Sequence, residues 1–88
     1  MNKARRKDLA RIVAELEQME ALRLRIKEEL EAVMDAEQEA LDNLPESLQA
    51  STSGEIMQEC IDAMESALDD LEEIDVDNVR DQLYDICG

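Results

Sequence analysis

The stretch Asp42-Asn43-Leu44-Pro45-Glu46-Ser47-Leu48-Gln49-Ala50-Ser51-Thr52-Ser53-Gly54-Glu55 decides the fold. It holds the only proline of the chain and one of its two glycines, the other being Gly88. Asn43, with Pro45 in the first turn and Glu46 three residues on, reads as the cap of a short helix ending near Gln49. Thr52 with Glu55 reads as a second capping box that opens a longer helix. Residues 43–53 are therefore a structured corner between two longer elements.

Upstream of the corner, Leu9, Ile12/Val13, Leu16, Met19, Leu22, Ile26, Leu30, Val33, Ala40/Leu41 and Leu44 recur at three- and four-residue steps. That is the helical period, and no glycine or proline interrupts it. It predicts one helix over 3–42, ~60 Å long at 1.5 Å per residue. Downstream, Ile56/Met57, Cys60/Ile61, Met64, Leu68, Leu71 and Ile74 repeat the pattern and predict a helix over 54–74. The next apolar step, from Ile74 to Val79, is five residues and out of period. Asp75-Val76-Asp77-Asn78 is β-branched and rich in cap residues, so a kink is expected over 75–78. Asp75 or Asp77 would cap a last helix over 78–87, which carries Val79, Leu83 and Ile86. The expected fold class is all-α: one domain, 1–88, an antiparallel helical hairpin with a short corner helix.

A hairpin of 88 residues with 44% hydrophobic residues has little core. A chain of that size buries only about 60–65% of its unfolded surface. Two helices share a single seam, and the apolar stripes here are wider than one seam needs. The expectation is a homodimer, forming a four-helix bundle or coiled coil. The residues expected at the oligomer interface are Leu16, Met19, Ile26, Leu30, Val33, Met34, Met57, Ile61, Met64, Leu68 and Leu71.

Charge is the second strong signal. Nine Lys and Arg stand against 24 Asp and Glu, a formal net charge of −15. Residues 1–27 hold eight of the bases against four acids, whereas residues 28–69 hold thirteen acids and no base. An antiparallel hairpin sets the basic start (Lys3, Arg5, Arg6, Lys7) beside the acidic finish (Asp81, Asp85). Pairing between them would offset charges that sit at the wrong helix ends for the macrodipole. Near the corner, acids repeat at four-residue steps in Glu31-Asp35-Glu39, Glu55-Glu59 and Glu65-Asp69. Each like-charge pair costs a helix roughly 0.2–0.5 kcal/mol. A chain needing only solubility could intersperse lysine there at no cost, which points to a functional negative surface; a merely solvated face is the alternative. Thirteen charges on two helices of about 32 Å give one per ~2.4 Å of axis, against one per ~1.7 Å for duplex DNA. The acids expected to carry this surface are Glu28, Glu31, Asp35, Glu39, Asp42, Glu55, Glu59, Asp62 and Glu65.

Several chemistries are excluded by composition. With no histidine, Ser-His-Asp, Cys-His and zinc–histidine sites cannot be built. Tyr84 is the single aromatic residue, so no platform exists for stacking nucleic-acid bases; it is expected to pack at the open end of the bundle. No apolar run exceeds three residues, too short for a membrane span or signal core. Acid pairs three apart, such as Glu17/Glu20, Glu28/Glu31, Glu59/Asp62 and Asp62/Glu65, have magnesium-site spacing but are no more frequent than so acidic a composition produces. No catalytic residue, metal or cofactor is therefore expected. Sequestering a small nucleotide would need a cationic pocket built from Arg5, Arg6, Arg23, Arg25 or Lys27. Cys60 and Cys87 lie 27 residues apart in no metal or redox motif and are expected to be reduced, a crossed-chain Cys60 pair in a dimer being the alternative.

The corner Asp42-Asn43-Leu44-Pro45-Glu46-Ser47-Leu48-Gln49, then Ser53-Gly54-Glu55 and Met57…Ile61-Asp62-Ala63…Leu68…Leu71-Glu72, resembles the short acidic helical-hairpin proteins encoded by bacteriophages and prophages. The resemblance covers about residues 30–74. It brings over no catalytic residue and implies a context: a small factor in the bacterial cytoplasm directed at host nucleic-acid machinery, CRISPR-type nucleases included. The functional expectation is an inhibitor that occupies a basic, nucleic-acid-binding surface of a host protein as a DNA mimic, without itself binding nucleic acid or membrane. A structural self-assembling coiled-coil module is the alternative.

Overall fold

Helix α1 runs unbroken over 40 residues, Lys3–Asp42, as its uninterrupted periodicity requires. Asn2 caps it, its side-chain Oδ1 accepting from the Arg5 backbone N–H at 2.8 Å. The computed structural model describes residues 2–87, with side chains described through Tyr84. Asp85, Ile86 and Cys87, to which charge pairing, packing and a thiol were assigned above, lie outside the described side chains. Helices α2 (Glu46–Gln49), α3 (Thr52–Glu73) and α4 (Val76–Cys87) complete an all-α chain with no strand among the described residues.

The corner forms by other caps than the spacing suggests. Pro45, at φ −54° and ψ 145°, occupies the cap position of α2, with no side-chain cap bond, so Asn43 does not serve there. Proline disfavours helical geometry at Leu44, which ends α1. Gln49 then turns back over that end, its amide donating to the Leu44 carbonyl at 2.9 Å. Helix α3 starts two residues earlier than expected, at Thr52. Ser51, not Thr52, precedes it: the Ser51 carbonyl accepts from the Glu55 N–H at 3.0 Å, and the Ser51 hydroxyl donates to the Leu48 carbonyl.

The chain divides into two compact units, Met1–Arg25 with Ile74–Gly88, and Ile26–Glu73. In the second unit α3 returns antiparallel beside α1. Lys27, at the far end, pairs with Glu72 at the end of α3. At the other end Gln38, Leu41 and Asp42 share a pocket with Gly54, Glu55 and Gln58. The seam between the helices takes Leu30, Met34 and Leu41 from α1 and Gly54, Met57, Ile61, Met64, Leu68 and Leu71 from α3, all buried or half-buried. The alternating three- and four-residue steps are those of a left-handed coiled coil.

In the first unit Leu9, Val13 and Leu16 of α1 continue that spacing, and α4 contributes Val76, Arg80 and Leu83. Val13 is 5% exposed and Val76 4%. Between Leu71 and Val76 the buried positions are five apart, which no continuous helix accommodates on one face. The chain resolves this by leaving the helix at Ile74 and Asp75 and starting afresh at Val76. Asp75 is the new cap, its Oδ1 accepting from the Asn78 N–H at 3.0 Å. That restart falls two residues before the position expected from the apolar pattern.

Candidate functional site

In the Ile26–Glu73 unit the pocket at the corner establishes which positions share a side. It is an open recess of about 370 Å³, with Gln38 and Asp42 of α1 facing Glu55 and Gln58 of α3. Stepping along each helix at the same register places Glu28, Glu31 and Asp35 of α1 on this side, with Asp62, Glu65, Asp69 and Glu72 of α3. All of these carboxylates are exposed, as are Asp42 and Glu55. Glu39 and Glu59 are exposed as well but lie on the outermost edges of their helices, away from this flank. Seven of the nine acids expected to form the surface thus share one flank.

The flank contains little that neutralises it. Asp42 accepts from the Gln38 amide at 3.0 Å, and Asp62 from the Gln58 amide at 2.9 Å. These amides orient two carboxylates without cancelling charge. The basic residue reaching the flank is Lys27, whose side chain is 16% exposed and engages Glu72 at the end of α3. Between that pair and the corner, the flank is made of carboxylates and amides alone.

For the basic start of α1, one of the two expected partners, Asp85, lies outside the described side chains. Among the described residues no ion pair engages Lys3, Arg5, Arg6 or Lys7, all of which are exposed. Asp81 pairs within its own helix, to Arg80 at 3.0 Å. Arg80 also lies 3.3 Å from Asp77, and the hydrogen bond to Asp81 leads the influences that raise its pKa further. Arg23 Nε donates to Glu20 at 2.5 Å in a partly buried pair. Tyr84 does not pack away: it is 53% exposed.

The residues expected at an oligomer interface separate into two groups. Ile61 and Leu68 are buried, and Leu16, Leu30, Met34, Met57, Met64 and Leu71 half-buried, in the seams inside the chain. Met19, Ile26 and Val33 are exposed. With Ile12 and Leu22 they form a second stripe on α1, one residue ahead of the seam positions. On α3 the equivalent positions are Ser53, Ile56, Cys60, Ala63, Ala67 and Asp70, and on α1 the same register adds Glu29, Ala36 and Ala40, all exposed. In the second unit these positions fall on the side of the hairpin opposite the acidic flank, with Glu29 and Asp70 the carboxylates among them. This apolar flank was hidden in sequence by the doublets Ile12/Val13, Val33/Met34, Ala40/Leu41, Ile56/Met57 and Cys60/Ile61. Both members fit the helical period, and burial shows that the second of each faces the seam. A further surprise is the polar content of the α1 seam, where Glu20, Arg23, Lys27 and Glu37 occupy seam positions.

Among the described residues no three acidic or cysteine side chains converge as a metal site would require. No described helix is long and apolar enough to cross a membrane. No family model matches the chain, and neither curated proteins nor solved structures give a significant match.

Proposed function

We propose that the chain is a non-enzymatic interaction protein whose acidic flank occupies a basic, nucleic-acid-binding surface of a host protein in the bacterial cytoplasm. The observation that carries this reading is the gathering of Glu28, Glu31, Asp35, Asp42, Glu55, Asp62 and Glu65 on one side of a hairpin, exposed and with no base among them. A line charge approaching that of duplex DNA suits a site built from Lys and Arg for phosphates. The resemblance to acidic hairpin proteins of bacteriophages supports a phage-type inhibitor, with CRISPR-type nucleases among the fitting targets. Affinity capture from bacterial lysate, eluted by stepwise salt, identifies the target, which should release steeply with salt. Changing Glu31, Asp35, Asp62 and Glu65 to Lys together should then abolish competition with DNA for that target. Undiminished competition by the folded variant overturns the proposal.

The second reading is a self-assembling structural module, favoured by the exposed apolar flank. Both readings take the chain to be a homodimer, and they part on whether the acids touch a partner. Recovery of nothing but the chain itself in the capture experiment favours assembly alone.

A further inference from the structure

The open recess at the corner lies wholly within the Ile26–Glu73 unit and takes walls from all three of its helices. Gln38 and Asp42 come from α1, Gln49 from α2, and Glu55 and Gln58 from α3, with the buried Leu41 beside them. The hydrogen-bonding capacity of these side chains is unevenly used. Gln49 donates to the Leu44 carbonyl at 2.9 Å and to the Asp42 carbonyl at 3.5 Å. The Gln38 amide donates to Asp42 Oδ1 at 3.0 Å, and the Gln58 amide to Asp62 Oδ1 at 2.9 Å. Among the described residues no donor reaches the three amide oxygens, the Glu55 carboxylate or Asp42 Oδ2. One N–H each on Gln38 and Gln58 is left over, against the oxygens of three amides and two carboxylates. The recess is thus an acceptor-rich cavity that lacks donors.

We propose that this recess takes one arginine side chain from the basic surface that the acidic flank covers. The proposal rests on that reading of the flank and names the group that anchors it.

The chemistry of the walls selects a guanidinium. It brings five N–H donors and no acceptor, in a planar fork that can meet oxygens on more than one helix at once. It is more weakly hydrated than the lysine ammonium and loses less on leaving water. Leu41 offers apolar contact to the aliphatic stem. Electrostatics agree. Helix α1 ends here and α3 begins here, so the opposite partial charges of the two helix ends offset each other. The carboxylates of Asp42 and Glu55 are left to set the sign, which repels a phosphate or a carboxylate. At about 370 Å³ the recess has room for one side chain and not for a folded element. Calcium also favours carboxylate and amide oxygens. Among the described residues, however, no three acids converge to hold it.

Proton–nitrogen NMR titration of the full chain with N-acetyl-arginine amide, at constant ionic strength, is the test. Saturable shifts should centre on the side-chain amides of Gln38, Gln49 and Gln58 and on the Gly54 N–H. N-acetyl-lysine amide should bind about threefold more weakly, or worse. Asp42→Asn/Glu55→Gln should weaken arginine binding about tenfold. Glu39→Gln/Glu59→Gln changes the charge equally but off the flank, and should alter binding by less than about twofold. Gln58→Leu removes an acceptor without touching charge and should weaken binding about threefold. All five positions are exposed, so the variants should keep the wild-type circular dichroism.

Equal affinity for the two amides, shifts spread along the flank, or equal losses in the two double variants would mean diffuse attraction and overturn the arginine site. Displacement of the arginine by calcium chloride at about 1 mM would overturn it too, assigning the recess to a metal ion. The flank reading is tested apart from this, because the Lys variant at Glu31, Asp35, Asp62 and Glu65 spares the recess. Continued competition with DNA by that variant overturns the flank reading and leaves the titration as it stands.

Discussion

Gly54, in the first turn of α3, lies directly against the backbone of Gln49 at the end of α2. A methyl group on its α-carbon would fall 2.6 Å from the Gln49 carbonyl carbon and 2.8 Å from the Leu48 carbonyl oxygen. Its φ is negative, so the requirement is for space and not for a left-handed backbone. The chain reverses in a few residues because this approach is allowed.

Gly54→Ala should therefore destabilise the chain although alanine is the better helix former. Backbone atoms, unlike the tip of a flexible side chain, cannot step aside. A loss of about 1–3 kcal/mol is expected, in the range of overpacking. Urea unfolding followed by circular dichroism measures it. A stabilised variant would show that the corner can open without penalty.

Asp75→Ala removes the only side-chain cap described for α4. The loss should be about 1 kcal/mol. Because the bond to Asn78 is local, Asp75→Asn or Asp75→Ser should restore most of it. Thermal unfolding of the three variants, compared at one protein concentration, tests the order.

Ile61→Ala opens the seam at a residue 5% exposed. A cost of about 2–4 kcal/mol is expected from lost transfer energy and the space left behind. Glu72→Gln, by contrast, breaks the pair to Lys27 at a side chain 61% exposed. That change should cost under about 1 kcal/mol, since water screens such pairs. Chemical denaturation should rank the two in this order.

Added salt should raise the melting temperature. Glu31, Asp35 and Glu39 repel along one helix face, and residues 28–69 contain no base to offset them. Screening shortens the reach of that repulsion from about 10 Å at 0.1 M to about 3 Å at 1 M. Relief of about 1 kcal/mol corresponds to a rise of several degrees in a chain this small. Sodium chloride titrations by differential scanning fluorimetry check the sign. A falling melting temperature would mean that favourable pairs such as Arg11–Glu15 dominate.

Much of this architecture was legible in residue spacing. The span of α1 follows from an apolar period with no glycine or proline inside it. A cap at Asp75 or Asp77 follows from the out-of-period step, and the bond from the Asn78 N–H selects Asp75. The corner caps were misassigned because Asn43, Ser51 and Thr52 are all competent capping types, and backbone geometry at Pro45 decides among them. The seam was harder still. Neighbouring apolar residues such as Cys60 and Ile61 differ by only 100° around a helix, so both fit a broad stripe. Which faces inward depends on the partner helix, and that information is not local. Seven of the nine acids share a flank with few competing apolar residues, while Glu39 and Glu59, at the same four-residue spacing, fall on the outer edges of their helices. Of the two acids expected to pair with Lys3, Arg5, Arg6 and Lys7, Asp81 engages Arg80 in its own helix instead, a short-range choice that spacing along the chain favours over a cross-helix pair between long exposed side chains.

The interruption at Ile74 and Asp75 gives the chain two separate thresholds for opening. Helix α4 has twelve residues, too few to persist by itself in water. Its release would free the Asp75 cap and bare Val76 while leaving the seam between Ile61, Leu68 and α1 intact. Native-state hydrogen exchange should then show the amides of α4 exchanging as one group at low free energy. The amides around Ile61 should exchange later, only with global unfolding. The part of α1 up to Arg25 would inherit the fate of α4, so a single uninterrupted helix would carry two protection levels along its length.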